Sequence, residues 1–218
     1  MHSILESLNS IMIPANTTAE CWGKVFSTCS SLSTIVVSKN NAEYKSINNS
    51  ILYKDGKALL LCRSAIIPEG VTMIAKSAFE GCNLTEIEIP EGVTDIGDEA
   101  FSGCYELRSI KIPDSVKAIG YAAFQDCEHL QSIEIPDELI VIEDDVFEDC
   151  DLQSVTIKTL EKDPNLSYKN IQFILQALSE ISKSLEINLR VPIVCGYAYR
   201  HYSRFAGKLK NIIADVID

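Results

Sequence analysis

One motif recurs along the middle of the chain at a spacing that only a structural repeat produces. Phe79, Phe101, Phe124 and Phe147 are 22, 23 and 23 residues apart, and Cys82, Cys104, Cys127 and Cys150 repeat the same intervals, as do Pro68, Pro90, Pro113 and Pro136. The shorter interval has a visible cause: Cys82-Asn83-Leu84 lacks one residue that Cys104-Tyr105-Glu106-Leu107 contains. A weaker copy lies upstream in Pro14, Phe26, Cys29, Leu32, Ile35 and Val37, preceded by a half-copy in Leu8, Ile11 and Ile13. Self-similarity at a period between 20 and 50 residues is the mark of a solenoid, a propeller or an array. The fold must therefore be built by stacking.

Each unit can be read physically. The I-x-I pairs alternate with period two and are rich in β-branched residues, so each is a short strand with one face inward. Proline then ends the strand, because it has no N–H to give to a ladder. The V-x-x-I steps (Val71/Ile74, Val93/Ile96, Val116/Ile119) return along the opposite side, and A-F-x-x-C forms a tight turn that buries Phe. One unit cannot bury its own apolar face, but a stack of them makes a continuous core. Strands one rung apart should be parallel and about 4.8 Å from each other, in a right-handed coil.

The last apolar residue of each strand falls at Ile13, Val37, Ile67, Ile89, Ile112, Ile135, Ile157 and Leu189, so two gaps of 30 and 32 residues need insertions. In the first, Asp55-Gly56 between two apolar runs signals a β-hairpin over about residues 44–62. In the second, Ile171, Ile174, Leu175, Leu178, Ile181 and Leu185 form a 3.6-period stripe, which predicts an amphipathic helix within 163–186 that docks on the solenoid. Ile187-x-Leu189-x-Val191-Pro192 then restores a last rung, and the rest of 187–218 reads as a C-terminal cap. The expected architecture is one domain over 1–218, with repeats at 8–157: an α/β repeat solenoid, right-handed, with a parallel concave sheet.

Charge follows the repeats. The 218 residues carry a net charge of −12, yet residues 67–157 hold 21 acidic and 4 basic side chains while the flanks are slightly basic. An acidic chain is repelled by nucleic acid and by anionic membrane, so neither is an expected partner. No apolar run approaches the roughly 20 residues of a membrane helix, and residues 1–20 show no signal-peptide pattern. The opening half-repeat at Leu8 suggests either a fragment of a longer protein or a fraying first rung.

The repeat Ile89-Pro-Glu-Gly-Val-Thr-Asp-Ile-Gly-Asp-Glu-Ala-Phe-Ser-Gly-Cys-Tyr-Glu-Leu-Arg-Ser-Ile-Lys111 resembles the BspA-like class of bacterial leucine-rich repeats. The likeness covers about residues 8–157 well and 187–213 moderately, with the Tyr44–Leu61 hairpin and the V-P-I-V-C-G-Y-A-Y end (191–199) included. Ala75 and Glu143 stand where Gly97 and Gly120 have the family's glycine. The resemblance implies a non-catalytic module that binds protein, such as a cell-surface or extracellular-matrix protein, in adhesion; the alternative is an intracellular scaffold or regulator. It leaves the compartment open: cell surface or secreted for a fragment of an exported protein, cytoplasmic if Met1 is the native start. It leaves the oligomeric state open too.

Candidate chemistry is sparse. The in-register cysteines (Cys29, Cys82, Cys104, Cys127, Cys150) could form a metal or redox ladder, but their place beside a buried Phe suits small buried hydrophobes, and no C-x-x-C occurs. Cys21, Cys62 and Cys195 stand outside the register, and His2, His129 and His201 are scattered. No hydrolase, zinc-protease, P-loop or dinucleotide motif is present, so no catalytic residue, metal site or cofactor is assigned. An enzyme would need a site between helix and cap near Cys195 and His201. Glu143-Asp144-Asp145 lacks calcium-loop spacing and reads as a solvated face. Four N-x-S/T sequons (Asn16, Asn48, Asn83, Asn165) matter only in a eukaryotic secretory setting. What remains is the concave face, where alternation turns Glu86, Glu88, Ser109, Lys111, Ser132, Glu134, Ser154 and Thr156 outward as the candidate ligand-binding residues.

Overall fold

In a computed structural model, the described residues are 6–18, 22–136, 139–158, 186–192 and 211–217. In chain order the elements are β1 (Ser10–Ile13), α1 (Trp22–Phe26), β2 (Thr34–Val37), β3 (Tyr44–Ile47), β4 (Ser50–Tyr53), β5 (Ala58–Cys62), β6 (Met73–Ile74), β7 (Glu86–Glu88) and β8 (Asp95–Ile96). They continue with β9 (Ser109–Lys111), β10 (Ala118–Ile119), β11 (Ser132–Ile135), β12 (Val141–Ile142), β13 (Ser154–Lys158), β14 (Glu186–Pro192) and β15 (Asn211–Ile217). Two parallel ladders run along the stack. The I-x-I strands pair as β1–β2, β7–β9 and β11–β13–β14–β15, and the V-x-x-I steps pair as β6–β8–β10–β12. Both ladders turn their apolar residues into one cluster that includes Ile87, Ile110, Ile133, Ile74, Ile96 and Ile119.

The turn between the ladders is where the repeat pays for its regularity. Ser77, Glu99, Ala122 and Asp145 hold left-handed φ of 58°, 52°, 51° and 57°, and four residues later Gly81, Gly103, Asp126 and Asp149 do so again. Two left-handed residues per turn leave no room for a helix, since L-residues sustain that conformation only singly. The tight turn read from A-F-x-x-C is thus observed, while the helix of the expected α/β class falls at 163–186, almost wholly outside the described residues. Among the described residues the coil is a β solenoid, and its only helix is the five-residue α1.

Inside the turn, Phe79, Phe101, Phe124 and Phe147 stack with centroids 4.7, 5.2 and 5.7 Å apart and ring planes within 9°. Each cysteine ties its rung to the one before. The Cys104, Cys127 and Cys150 thiols donate to the carbonyls of Phe79, Phe101 and Phe124 at 3.1, 3.3 and 3.0 Å. Those same carbonyls accept the backbone N–H of Cys82, Cys104 and Cys127. A sulfur is wanted here because it fills apolar space and still donates a weak bond. Gly97 and Gly120 sit where rungs touch: a Cβ would lie 2.8 Å from the Lys76 nitrogen and 2.6 Å from the Asp98 nitrogen. Glu143 carries a Cβ in that register, and its rung is the one whose ring has moved out to 5.7 Å.

The hairpin expected at 44–62 is a three-stranded antiparallel meander, β3–β4–β5. Its first turn is Asn48-Asn49, both left-handed, and its second contains Asp55-Gly56. The meander also closes the edge of β2: Asn49 Oδ1 and Ser46 Oγ accept the amides of Ile35 and Val37. β5 then joins β6 in parallel, so meander and second ladder form one seven-stranded sheet.

A separate N-terminal cluster holds Ile13, Trp22, Cys29, Leu32, Ile35, Val37, Tyr44 and Ile51. Phe26 stacks on Trp22 there rather than joining the four-ring column. Arg63 bridges the two clusters, donating to the carbonyls of Phe26 and Glu80 and to the sulfur of Cys82.

At the other end, β14 restores the expected rung, with Ile187 opposite Val155 and Leu189 opposite Ile157. Where a cap was expected, Asn211–Ile217 add one more parallel strand, β15. The helical insert at 163–186, except Glu186 in β14, lies outside the described residues, as do 193–210.

A candidate binding face on the I-x-I ladder

The alternation in each strand fixes which residues a ligand could meet. Ile87, Ile110, Ile133 and Val155 point into the core, so Glu86 and Glu88, Ser109 and Lys111, Ser132 and Glu134, and Ser154 and Thr156 point out. Register lines them up: Glu86 faces Ser109 and Glu88 faces Lys111, while Ser132 faces Ser154 and Glu134 faces Thr156. The result is a hydroxyl-rich column beside a largely charged one. Lys111 bonds to the Glu88 carboxylate, and that hydrogen bond holds its ammonium above the usual lysine range. Both partners are well exposed, so the pair contributes little to stability.

The same outward column begins differently upstream. Met12 and Val36 face each other across β1–β2 and are 73% and 43% exposed, and Ile66, in the equivalent position before Ile67, is 65% exposed. The outward column therefore opens with three apolar residues before turning charged. The signal was present in the middle residues of Ile11-Met12-Ile13 and Ile35-Val36-Val37, which strand alternation should have turned outward with the rest.

The face is not a continuous sheet, although the repeat predicted one. Arg108 and Ser109 donate to the Thr85 carbonyl, and Gln153 and Ser154 to the Gln131 carbonyl, but no ladder joins β9 to β11. Between them opens a cleft of about 340 Å³, lined by Ser109, Ile110, Lys111, Ile112, Ser132, Ile133, Glu134 and Thr156. The isoleucine side chains are buried, so the wall they contribute is main chain. Five of the eight expected binding residues thus converge on one opening; Glu86, Glu88 and Ser154 lie outside it. The volume is at the low end of the roughly 300–1,000 Å³ typical of small-molecule pockets.

The other candidates resolve into structure. Cys29, Cys62, Cys82, Cys104, Cys127 and Cys150 are free thiols, all buried except the half-buried Cys150. Burial pushes Cys82 up to about 11 despite the Arg63 guanidinium beside it, and raises Cys104 further. Cys127 is also raised, first by its hydrogen bond with Cys150. Thiols held protonated are poor nucleophiles and poor metal ligands. Cys62 proves less isolated than its position outside the register suggested, because its carbonyl accepts the Cys82 thiol at 3.2 Å. His129 is exposed, with Nδ1 2.6 Å from the Tyr105 carbonyl oxygen. Glu143, Asp144 and Asp145 are exposed. Among the described residues no group of three metal-ligating side chains converges, and no helix is long and apolar enough to cross a membrane. Cys21, Cys195, His2 and His201 lie outside the described residues.

Comparison with known proteins places this geometry. The chain aligns over 97% of its length with the crystal structure of a leucine-rich cell surface protein from Faecalibacterium prausnitzii, at 24% identity and a TM-score of 0.59. It aligns over 96% of its length with the pneumococcal vaccine antigen PcpA, at 16% identity and a TM-score of 0.65. It spans 49% and 56% of those two chains. No curated protein sequence matches it. These likenesses carry the fold, a leucine-rich-repeat solenoid. The BspA type leucine rich repeat region matches six times over residues 58–174, more than half of the chain. Repeats of this kind are typically non-catalytic surfaces for protein partners. The chain belongs to the BspA-type leucine-rich repeat family.

Proposed function

We propose that this protein is an adhesion module that binds a cell-surface or extracellular-matrix protein through the outward columns from Glu86 to Thr156. The observation that carries the reading is the β9/β11 cleft, which is lined by Ser109, Lys111, Ser132, Glu134 and Thr156. Repeat solenoids present such faces to ligands because successive rungs place equivalent side chains in rows. Support for a surface role comes from the neighbours, one described as a cell surface protein and the other as a vaccine antigen. An intracellular scaffold would use the same columns.

The test is a binding panel. The whole chain, immobilised, is exposed to purified matrix proteins and to cells, beside the variant Ser132→Arg and a control, Asp95→Arg, on the opposite ladder. Loss of at least tenfold in affinity for Ser132→Arg alone is the expected result. Equal binding by all three proteins, or loss only with Asp95→Arg, moves the site elsewhere.

A further inference from the structure

The second ladder ends on a rung that differs from those before it. Among the described residues β12 is the edge strand of its sheet, paired with β10 on one side. Ile142 and Cys150, inward residues of that rung, are only half-buried, although their counterparts one rung back, Ile119 and Cys127, are 0% exposed. Just before the strand, Ile140 stands where the earlier rungs carry Thr72, Thr94 and Lys117, and it is 61% exposed. Val141, next in sequence, is 41% exposed. Apolar surface therefore meets solvent both at the end of the core and at its rim, on a strand edge of the kind that proteins normally cover.

The next coil of the chain has the chemistry to cover it. β13 ends at Lys158 and β14 begins at Glu186, one rung on and parallel, so residues 159–185 make the connection between them. They lie outside the described residues, and they number nine more than residues 136–153, which make the connection before. They contain no A-F-x-x-C turn. Instead, Ile171, Ile174, Leu175, Leu178 and Ile181 recur at helical spacing, with Gln172, Gln176, Ser179 and Lys183 on another side of the same helical wheel. A stripe of this kind needs an apolar surface to bury against. Crossovers between parallel neighbours keep one hand in about 98% of cases, and earlier coils such as β9–β10–β11 cross on the second-ladder side.

We propose that residues 171–185 are a helix that crosses the open edge of β12 and lays its apolar stripe over Ile140, Val141, Ile142 and Cys150. The occupant of this surface is the chain's own next coil. β12 is two residues long, so few ladder groups are covered with it. The inference stands apart from the binding face on the opposite ladder, and neither depends on the other.

Hydrogen exchange on the whole chain, read by mass spectrometry, tests it with Ile140→Glu, Leu178→Glu and a control, Met73→Glu. Met73 is 44% exposed and lies three strands away in the same sheet. In the wild type the amides of 171–185 should exchange at least tenfold more slowly than those of an unstructured peptide of that sequence. Ile140→Glu and Leu178→Glu should each speed that exchange at least fivefold, Met73→Glu should leave it within twofold, and residues 109–119 should be unchanged throughout. An unprotected 171–185 in the wild type overturns the proposal, as does an equal response to Ile140→Glu and Met73→Glu. A second measurement holds even if a glutamate variant fails to fold: Ile140 is replaced by a benzophenone-bearing phenylalanine and the chain is irradiated. The expected crosslink joins position 140 to a peptide within 166–185 of the same molecule. Attachment to another copy, or only to other parts of the chain, overturns the assignment.

Discussion

The ring column gives the sharpest quantitative test, because two of its members differ in one respect. Phe79 and Phe101 are both 0% exposed, so truncating either to leucine removes three buried carbons and costs about 2.4 kcal/mol at about 0.8 kcal/mol per buried carbon. Among the described residues Phe79 stacks on one ring, Phe101 at 4.7 Å; Phe101 stacks on two, Phe79 at 4.7 Å and Phe124 at 5.2 Å. An aromatic pair contributes about 0.5–1.5 kcal/mol beyond its burial. Phe79→Leu should therefore cost about 3–4 kcal/mol and Phe101→Leu about 3.5–5.5 kcal/mol. The difference isolates the Phe101–Phe124 pair. Urea titration followed by circular dichroism measures both, with the slope checked for two-state behaviour because long repeat stacks can lose it. Equal costs, or a cost below about 1 kcal/mol for Phe101→Leu, would show that the column fills space without stacking energy.

Further outcomes test the seam, the rungs and the junction. Cys82, Cys104 and Cys127 all hold raised pKa values when folded, so the unfolded chain loses their protons first as pH rises. Their stabilisation is complete below about pH 8.5 and declines above it, by about 1.4 kcal/mol per pH unit per thiol, until the folded pKa is reached. Denaturation midpoints between pH 7 and 10.5 should fall, and Cys82→Ala should make the fall shallower; a parallel curve would contradict the assignment. Gly120→Ala puts a methyl 2.6 Å from the Asp98 nitrogen and should cost about 1–3 kcal/mol by thermal melting, as overpacking typically does. Arg63→Met keeps length but removes the donors that join Phe26, Glu80 and Cys82, so amide exchange at residues 34–37 should speed up well before that at residues 110–119. Uniform acceleration of both segments would argue against two separable clusters.

Periodicity made much of this molecule legible. The intervals of 22 and 23 residues correspond directly to rung pairs such as Met73 with Asp95 and Asp95 with Ala118. Outward positions followed from strand alternation alone, which is why the eight face residues could be named without coordinates. What escaped has no periodic mark. Serine, glutamate and alanine at positions 77, 99 and 122 give no hint of left-handed backbone, so the tight turn could be read from the sequence but not its conformation. The first turn of the meander was missed because Asn48-Asn49 lacks the glycine that usually advertises such a turn. Arg63 sits in the gap between copies, where a pattern search has nothing to align, yet its guanidinium links the two clusters to which β4 and β5 also both contribute.

The cleft was illegible for a different reason: it is a property of spacing, and spacing is set elsewhere. On the turn side each rung is fixed to its neighbour three ways, by a stacked ring, by a thiol on a carbonyl, and by main-chain bonds such as Phe101 N–H to the Ala123 carbonyl at 2.8 Å. On the I-x-I side the strands are three or four residues long in this region, and between β9 and β11, which share no ladder, the packing of buried isoleucines such as Ile110 and Ile133 in the common core takes its place. Neighbouring rungs are therefore held together at the seam while they part at the face, and the rings stay buried. The β8–β10 and β10–β12 pairs are intact on the far side of the same rungs. The cost of the opening is a few main-chain bonds given up to solvent, each about 0.5–1.5 kcal/mol net, which a ligand carrying both donors and acceptors can restore. A stiff seam with a yielding face is thus how a uniform repeat can come to have one site unlike the others.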